Sequence, residues 1–477
     1  MSVELKIKNL TAEEIAKVCR AELIKIGSPT SEIVERISHD SREGGDKTLF
    51  CAIVGEKYDG HDFIADAVSA GSQVVLLSSL PENTDGLDFY AIRVEDTVKA
   101  LGTLAAYYKD FSDATFVAVT GSVGKTTTKE FISAVASASF KTHKTKGNYN
   151  NEIGLPLTLF DLSPDDKVSV IEMGMSARGE IEYMSKLVRP DIAVITNIGT
   201  SHLAALGTRE NICAAKLEIV SGLKKDGSLM LNADEPLLFA TRGHVEPEPE
   251  FVSVYNRFGD YRAVNIRYLE NGIMYDLIYN NKAVTNVEIP ALGRHNVYNS
   301  LIAYAVGVKL GMTDDMIRRG LLTFVSTDKR QNIYDVGGIT VIDDCYNASP
   351  ESMRAAIDVL TSIASRRGVK PCALLGDMLE LGEYSRLMHD QLGQYAAQMK
   401  VQKLYCYGAM ADIVAEAAIK KGVRADNVYV SLDSDNPTEM AKMINSSMQS
   451  GDVLLVKASR AVSAERVIEA LKKIRKK

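Results

Sequence analysis

The chain has 477 residues, of which 46% are hydrophobic and 25% charged, a balance typical of a globular protein long enough for roughly three domains. Its net charge of -7 argues against nucleic-acid binding, because contacts to a phosphate backbone need a concentrated positive surface. The six cysteines form no CxxC pair, which predicts reduced thiols rather than disulfides or a zinc site. The N-terminal segment lacks a long apolar run, so we expect no signal peptide or membrane span and a cytoplasmic protein.

Short β-branched segments alternate with helical patterns along the whole chain, which predicts an α/β protein. Residues 1–93 predict a small mixed α/β domain that ends in a strand. Residues 94–326 predict a central domain with a parallel sheet, and residues 327–477 a doubly wound, Rossmann-like domain.

A phosphate-binding loop is predicted at residues 119–130, which read "VTGSVGKTTTKE". The loop follows the strand "TFVAVT" and opens a helix, so its backbone amides and the helix N-terminus would face an anion. Lys125 would reach the terminal phosphates, and the hydroxyl of Thr126 a magnesium ion. The loop is shorter than usual, because Val119 stands where the common pattern has glycine. These features predict ATP binding, against the alternative of a glycine-rich turn without a ligand.

Polar residues end or follow two further predicted strands, and we expect them at the same edge of the sheet as the loop. Glu172 ends the apolar run "VSVIE", where a carboxylate could hold magnesium or could cap the next segment. His202 follows the strand "DIAVITNI", and its position makes a functional role and a structural role equally plausible. Lys216 lies in a helical stretch, where a lysine is usually a surface residue but, if buried, loses its proton readily.

Segments spread over nearly the whole chain resemble, in the same order, those of the Mur ligases of bacterial peptidoglycan synthesis. The segments are "TGSVGKTT", "NYNNEIGLPLTL", "EMGMSARGEI", "TNIGTSHL", "AAKLEI", "LGRHNVYNSLIA", "DDCYNASPESM" and "LGDMLELGE". The shortened loop is itself the form seen in this family. "DDCYNASP" and "GDMLELGE", together with the lack of a "DNPR" segment, favour the branch that adds D-alanyl-D-alanine to a UDP-N-acetylmuramoyl tripeptide, without distinguishing diaminopimelate from lysine in that tripeptide.

The resemblance implies a role for particular residues around ATP and magnesium. It assigns ATP to Gly121, Ser122, Val123, Gly124, Lys125, Thr126, Thr127, Asn296, Asn299, Arg330, Asp344 and Asn347. It assigns Thr126 and Glu172 to one magnesium ion, and His202 with a carbamate on Lys216 to a second. Lys125, Lys216, His202 and Arg330 would be catalytic. Asn296 and Asn299 could instead cap their helix.

The resemblance also implies that the first domain binds UDP through Asp40, Ser41 and Arg42, helped by Asn150 and Asn151. Without the family, Asp-Ser-Arg is equally well read as a turn. The sequence departs from the family in two places: Ser349 stands where asparagine is usual, and Ala458 where glycine is usual. The second departure bears on the placement of Lys457, Ser459 and Arg460.

The implied reaction is amide synthesis through an acyl phosphate, by a monomer that closes around a hinge near residues 326–330. A folylpolyglutamate synthase is one alternative, although it should lack the "DSR" and "DGH" segments. Another amino-acid-adding Mur ligase is a second. A phosphate-loop switch or motor protein is a third, although it should show a full-length loop and an aspartate on the metal-binding strand.

Overall fold

The computed structural model describes residues 2–55, 57–327 and 330–475. Its backbone forms three large sheets, one after another along the chain, with helices packed against them, so the prediction of an α/β protein is confirmed. All six cysteines are free thiols. Over the described ranges, no helix combines the length and apolarity that crossing a membrane requires.

The first sheet is mixed. Its strands and the small pair beside it are β1 (Ser2–Glu4), β2 (Leu10–Thr11), β3 (Glu22–Ile26), β4 (Ile33–Val34), β5 (Arg36–Ser38), β6 (Thr48–Cys51), β7 (Val74–Leu77) and β8 (Phe89–Arg93). The helices are α1 (Ala12–Cys19), α2 (Ile64–Ser69) and α3 (Thr97–Lys109). The sheet order is β1-β5-β6-β7-β8-β3, in which β5 to β8 are parallel and both edge strands antiparallel, while β2 pairs with β4. The parallel strands therefore bring their carboxyl ends to one edge.

The central sheet contains the predicted phosphate-binding loop. Its strands are β9 (Thr115–Thr120), β10 (Thr142–Lys144), β11 (Val168–Glu172), β12 (Ile192–Ile195), β13 (Ser228–Asn232), β14 (Glu250–Ser253), β15 (Tyr261–Tyr268), β16 (Ile273–Tyr279) and β17 (Lys282–Ile289). The order is β10-β11-β9-β12-β13-β14-β15-β16-β17, parallel up to β15 and antiparallel beyond it. The strands β11, β9 and β12 are neighbours, so the segments after Glu172, Thr120 and Ile195 meet at one edge.

Helices cover both faces of the central sheet. They are α4 (Lys125–Ser137), α5 (Gly154–Phe160), α6 (Glu180–Val188), α7 (Leu203–Leu206), α8 (Arg209–Leu217), α9 (Pro236–Phe239), α10 (Arg294–Lys309) and α11 (Asp314–Leu322). Alternate residues of β9 enter different cores: Val117 and Val119 pack with α4 and α10, whereas Phe116 and Ala118 pack with α3 and α5. Burial on both faces explains why these strands are almost wholly apolar.

The third sheet is parallel except at one edge. Its strands are β18 (Asn332–Val336), β19 (Ile339–Asp343), β20 (Pro371–Gly376), β21 (Lys403–Tyr407), β22 (Val428–Ser431) and β23 (Val453–Lys457). The helices are α12 (Pro350–Arg367), α13 (Ser385–Gln398), α14 (Ala411–Lys420), α15 (Pro437–Ser447) and α16 (Glu465–Arg475). The order is β18-β19-β23-β20-β21-β22, with α12, α13 and α14 on one face and α15 and α16 on the other. This is the predicted doubly wound arrangement.

The first sheet is anchored to the central one through α3 and α5. Their side chains belong to one continuous apolar core. At its border the backbone N–H of Ile7 donates to the hydroxyl of Tyr108 (2.7 Å), and Lys6 pairs with Asp161 (2.6 Å). The third sheet follows a short segment after α11, and residues 328 and 329 of the predicted hinge lie outside the described residues. The domain limits at 93/94 and 326/327 stay predictions.

Candidate active site

The phosphate-binding loop has a fixed shape that requires glycine at two positions. Gly121 has a φ of 146°, and a Cβ there would lie 1.9 Å from the hydroxyl oxygen of Thr196. Gly124 has a φ of 85° and faces Asn299. The neighbouring strand holds the loop, because the backbone N–H of Val123 donates to Asn197 Oδ1 (2.9 Å). Residues 122–127 line a cavity of about 1430 Å³, as expected of a loop that receives phosphates.

Lys125 is the first residue of α4 and bends back over the loop. Its Nζ donates to the carbonyl oxygen of Gly121 (2.8 Å). Burial lowers the pKa of Lys125, and the positive charge of Arg330 acts in the same direction, while Glu172 opposes both. The ammonium group therefore lies near other charges but is bound by neutral carbonyl oxygens, an arrangement that leaves it available to a negatively charged phosphate.

Glu172 lies beside this loop and has one unsatisfied oxygen. Its Oε1 accepts from the hydroxyl of Thr126 (3.1 Å) and from Asn150 Nδ2 (2.9 Å). Its Oε2 is buried and accepts no hydrogen bond from a described residue, although Lys129 Nζ lies at ion-pair distance (3.7 Å). A buried carboxylate oxygen without a donor is costly, and a bound cation removes that cost. Thr126 and Glu172, which the resemblance assigns to one magnesium ion, are thus neighbours joined by a hydrogen bond.

His202 and Lys216 differ in their access to the cavity. His202 lines it, has a φ of 65°, and its Nδ1 lies 3.1 Å from Glu380 Oε2 in the third domain. Lys216, in α8, is 1% exposed and does not line the cavity. Within the described ranges its ammonium group makes no hydrogen bond or ion pair. Burial, and then the charge of Lys125, lower its pKa well below the ordinary value.

Asn296 and Asn299 lie inside α10 and do not cap it, because the helix begins after Gly293. Asn296 Nδ2 donates to the carbonyl oxygen of Leu292 (2.8 Å), and Asn299 Nδ2 donates to Asn296 Oδ1 (2.9 Å). Both asparagines are buried and line the cavity next to the phosphate-binding loop. This position fits the predicted contact with the nucleotide.

The third domain contributes Arg330, Asp344 and Asn347 to the same cavity. Asp344 is paired with a buried lysine: Lys457 Nζ donates to Asp344 Oδ2 (2.7 Å) and to the carbonyl oxygen of Asn347 (3.0 Å). Ala458 does not disturb this lysine, since its methyl group occupies the space left free by Gly376. Ser349 caps α12 in a reciprocal arrangement with Ser352. The two departures from the family pattern are thus accommodated.

The residues predicted to bind UDP are not all brought together. Asn150 and Asn151 line the cavity, but Asp40, Ser41 and Arg42 lie on the first sheet, where they form a 3-10 turn after β5. Arg42 donates to both oxygens of Asp40 (2.9 and 2.7 Å), and this hydrogen bonding lowers the pKa of Asp40. His61 Nε2 accepts from the backbone N–H of Ser78 after β7 (2.9 Å), so His61 lies at the same edge of the first sheet, where the parallel strands β5 to β7 end.

Several residues of the site were not predicted. Lys129 is buried one helical turn beyond Lys125, and its position four residues later is the signal that could have revealed it. Two carboxylates of the third domain contact the segment that carries His202. Glu351 accepts from the backbone N–H and the hydroxyl of Thr200 (both 3.0 Å), and Glu380 pairs with His202. No local pattern marks either glutamate.

Known protein families match the chain along most of its length. Residues 33–109 match the model "Mur ligase family, catalytic domain". Residues 119–307 match the Mur ligase middle domain, and residues 329–460 the Mur ligase glutamate ligase domain. The central match begins at Val119, the residue that opens the shortened loop.

Individual relatives are similar over nearly their whole length. The UDP-N-acetylmuramoyl-tripeptide--D-alanyl-D-alanine ligase of Bacillus subtilis is 36% identical over 94% of this chain and 97% of its own. MurF from Acinetobacter baumannii is 30% identical, with a TM-score of 0.88 over 98% of this chain and 99% of that one. MurF ligase from Thermotoga maritima, solved in complex with ADP, is 29% identical, with a TM-score of 0.80 over 92% of this chain and 97% of that one. A folylpolyglutamate synthase from Mycobacterium tuberculosis is 15% identical, with a TM-score of 0.60 over 78% and 94%, and shares the fold alone.

Proposed function

Because this chain belongs to the Mur ligase family, we propose that it joins D-alanyl-D-alanine to a UDP-N-acetylmuramoyl tripeptide, with ATP as co-substrate. Its strongest structural support is the single cavity that Lys125, the Thr126–Glu172 pair and Arg330 all line. Lys125 and Arg330 come from different domains and lie close enough for their charges to interact. Such a site suits a reaction that must bring two anions together.

In the proposed first step, a terminal carboxylate oxygen of the tripeptide attacks the γ-phosphorus of ATP, and the bond to the β-phosphate oxygen breaks to release ADP. Both reactants are negatively charged, so their approach requires positive charge at the point of contact. Lys125 and Arg330 supply it, and the planar guanidinium of Arg330 can donate two parallel hydrogen bonds to the phosphate. In the second step, the amine of D-alanyl-D-alanine attacks the acyl phosphate, and inorganic phosphate leaves with loss of a proton from the amine.

Magnesium would be held by Thr126 and Glu172. The residues fit this ion, because Glu172 Oε2 is a buried carboxylate oxygen that accepts no hydrogen bond from a described residue and has only a long ion pair with Lys129 (3.7 Å). When bound, the ion would neutralise charge on the phosphates. Glu172 is kept in place by Thr126 and Asn150, so its free oxygen points in a fixed direction. His202 lines the same cavity and would serve a second ion.

Lys216 would carry a carbamate. Its neutral amine attacks CO₂, a C–N bond forms, and one proton is released, which leaves an anionic oxygen ligand where a cation stood. Burial and the charge of Lys125 favour this reaction, because both lower the pKa of the amine and increase its neutral fraction. In the described part of the chain no group pairs with this ammonium and holds it in the charged form.

Uridine diphosphate would be held on the first sheet by Asp40, Ser41 and Arg42. These residues lie after β5 at the edge where the parallel strands end. Arg42 has 86% of its side chain exposed and can exchange its contact with Asp40 for a phosphate. We further infer that the protein acts as a cytoplasmic monomer, with domain limits at 93/94 and 326/327.

The test is phosphate release from ATP with purified protein. We expect release to be fast when UDP-N-acetylmuramoyl tripeptide and D-alanyl-D-alanine are both present, and slow with either one alone. Replacing both substrates by a folate and glutamate distinguishes a folylpolyglutamate synthase. Replacing both by a shorter UDP-N-acetylmuramoyl precursor and a single amino acid distinguishes another Mur ligase. A rate that does not depend on the acceptors would instead favour a switch or motor protein.

A further inference from the structure

The guanidinium group of Arg330 lies over an aromatic ring. Its central carbon lies 4.2 Å from the ring centre of Tyr346. Within the described ranges, the guanidinium makes no hydrogen bond or ion pair, although the residue lines the cavity. An arginine has five N–H donors, and leaving them unpaired is costly unless solvent or a ligand accepts them. No described residue accepts from any of these five donors, so they can face an anion in the cavity.

The backbone does little to direct this side chain. Arg330 lies outside the helices and strands, between α11 and β18. Its backbone N–H donates to the carbonyl oxygen of Thr327 (3.3 Å), and its carbonyl oxygen accepts from the hydroxyl of Ser326. Neither contact reaches beyond this connecting segment. The ring of Tyr346 is thus the contact that relates the Arg330 side chain to the third domain.

The segment that carries Tyr346 is held in place by hydrogen bonds on both sides of the tyrosine. It lies between β19 and α12, and Lys457 grips the segment at Asp344 Oδ2 (2.7 Å) and at the carbonyl oxygen of Asn347 (3.0 Å). The Tyr346 hydroxyl makes no hydrogen bond with any described residue. The ring, and not the hydroxyl, is therefore what the surrounding structure uses. A second cation, Arg460, lies 5.4 Å from the same ring centre but does not line the cavity.

We propose that Tyr346 is a positioning residue that aims the guanidinium of Arg330 at the terminal phosphate of ATP. A guanidinium over an aromatic ring uses its face for this contact and keeps its N–H donors free at the edge. The ring therefore fixes the direction of Arg330 without competing with the phosphate. This inference rests on the proposed function, because it takes Arg330 as the group that binds phosphate.

The test is a double-mutant cycle with Tyr346→Leu, Arg330→Ala and the double variant, read as kcat for phosphate release. We expect Tyr346→Leu to lower kcat about 10-fold, the effect of a partly desolvated cation–π contact, and Tyr346→Phe to stay within about twofold of the parent. In the Arg330→Ala background, Tyr346→Leu should cost less than about twofold. Equal losses in both backgrounds, or a Phe variant as poor as Leu, would overturn the inference.

A matched control removes a ring that covers another arginine. Tyr255 lies 5.2 Å from Arg294, is 67% exposed and does not line the cavity, so Tyr255→Leu should leave kcat unchanged. Melting temperatures of all variants identify misfolding, and Tyr346→Met replaces the Leu variant if that one unfolds.

Failure of the proposed function can be told apart from failure of this inference. If the parent protein does not turn over the two acceptors, the proposed function is wrong, and the same cycle is then measured as the Kd of ATP by calorimetry. If the losses of affinity in the two single variants are not additive in the double variant, they support the role of Tyr346. Additive losses overturn it.

Discussion

Lys125 combines a charged side chain with neutral partners, since its ammonium group donates to the carbonyl oxygen of Gly121. We expect Lys125→Ala to abolish phosphate release, because the charge that lowers repulsion between carboxylate and γ-phosphate is lost. Binding of the UDP substrate, measured by calorimetry, should be largely intact, as the proposed uridine site is on another sheet. Loss of both properties would indicate misfolding instead.

Lys216 is the second lysine whose replacement should abolish activity. We expect Lys216→Ala to be inactive but partly rescued by acetate or formate, because a small carboxylate can replace the carbamate in the space left by the side chain. Lys129→Ala is the matched control: Lys129 is also buried, but its Nζ lies 3.7 Å from Glu172 Oε2, so a carboxylic acid in its place would face that carboxylate and should not rescue activity. Full activity of Lys216→Ala would contradict the carbamate.

At the scale of single elements, α12 shows how a departure from the family pattern is accommodated. The hydroxyl of Ser349 accepts from the backbone N–H of Ser352, and Ser352 Oγ accepts in return from the backbone N–H of Ser349. We expect Ser349→Ala to lower the free energy of unfolding by about 1 kcal/mol, measured by urea denaturation. Ser349→Asn should be nearly neutral, since asparagine caps helices as well as serine does. A large loss with Asn would show that the side chain is needed for more than capping.

The helices and strands also show which parts of the candidate site could be predicted from the sequence. Glu172 and the phosphate-binding loop were predictable, because each stands at the carboxyl end of an apolar segment that had to be a buried parallel strand. The contact of Glu351 was not, because its partner is distant in the sequence: Glu351 contacts Thr200, 151 residues away. Such pairs depend on how two domains dock, and neither hydrophobic periodicity nor local propensity contains that information.

At the scale of the whole molecule, two contacts join the third domain to the segment that carries His202. Glu351 accepts hydrogen bonds from the backbone N–H and the hydroxyl of Thr200, and Glu380 pairs with His202. We expect Glu351→Ala to favour separation of the domains. The expected result is a larger radius of gyration by small-angle scattering with an ATP analogue, together with slower phosphate release.

Glu351→Gln is the matched control for this prediction, because its amide oxygen can still accept from both donors of Thr200. It should scatter like the parent protein. An unchanged radius for Glu351→Ala would mean that other contacts hold the domains together.

The position of Arg330, just beyond the segment that joins α11 to the third sheet, bears on the conditions under which ATP is cleaved. Under the proposed function, Lys125 on the loop and Arg330 beyond α11 both bind the nucleotide, and Arg330 packs on the ring of Tyr346 in the third domain. Dividing the positive charge between two domains in this way would make the cleavage of ATP depend on the position of the third domain.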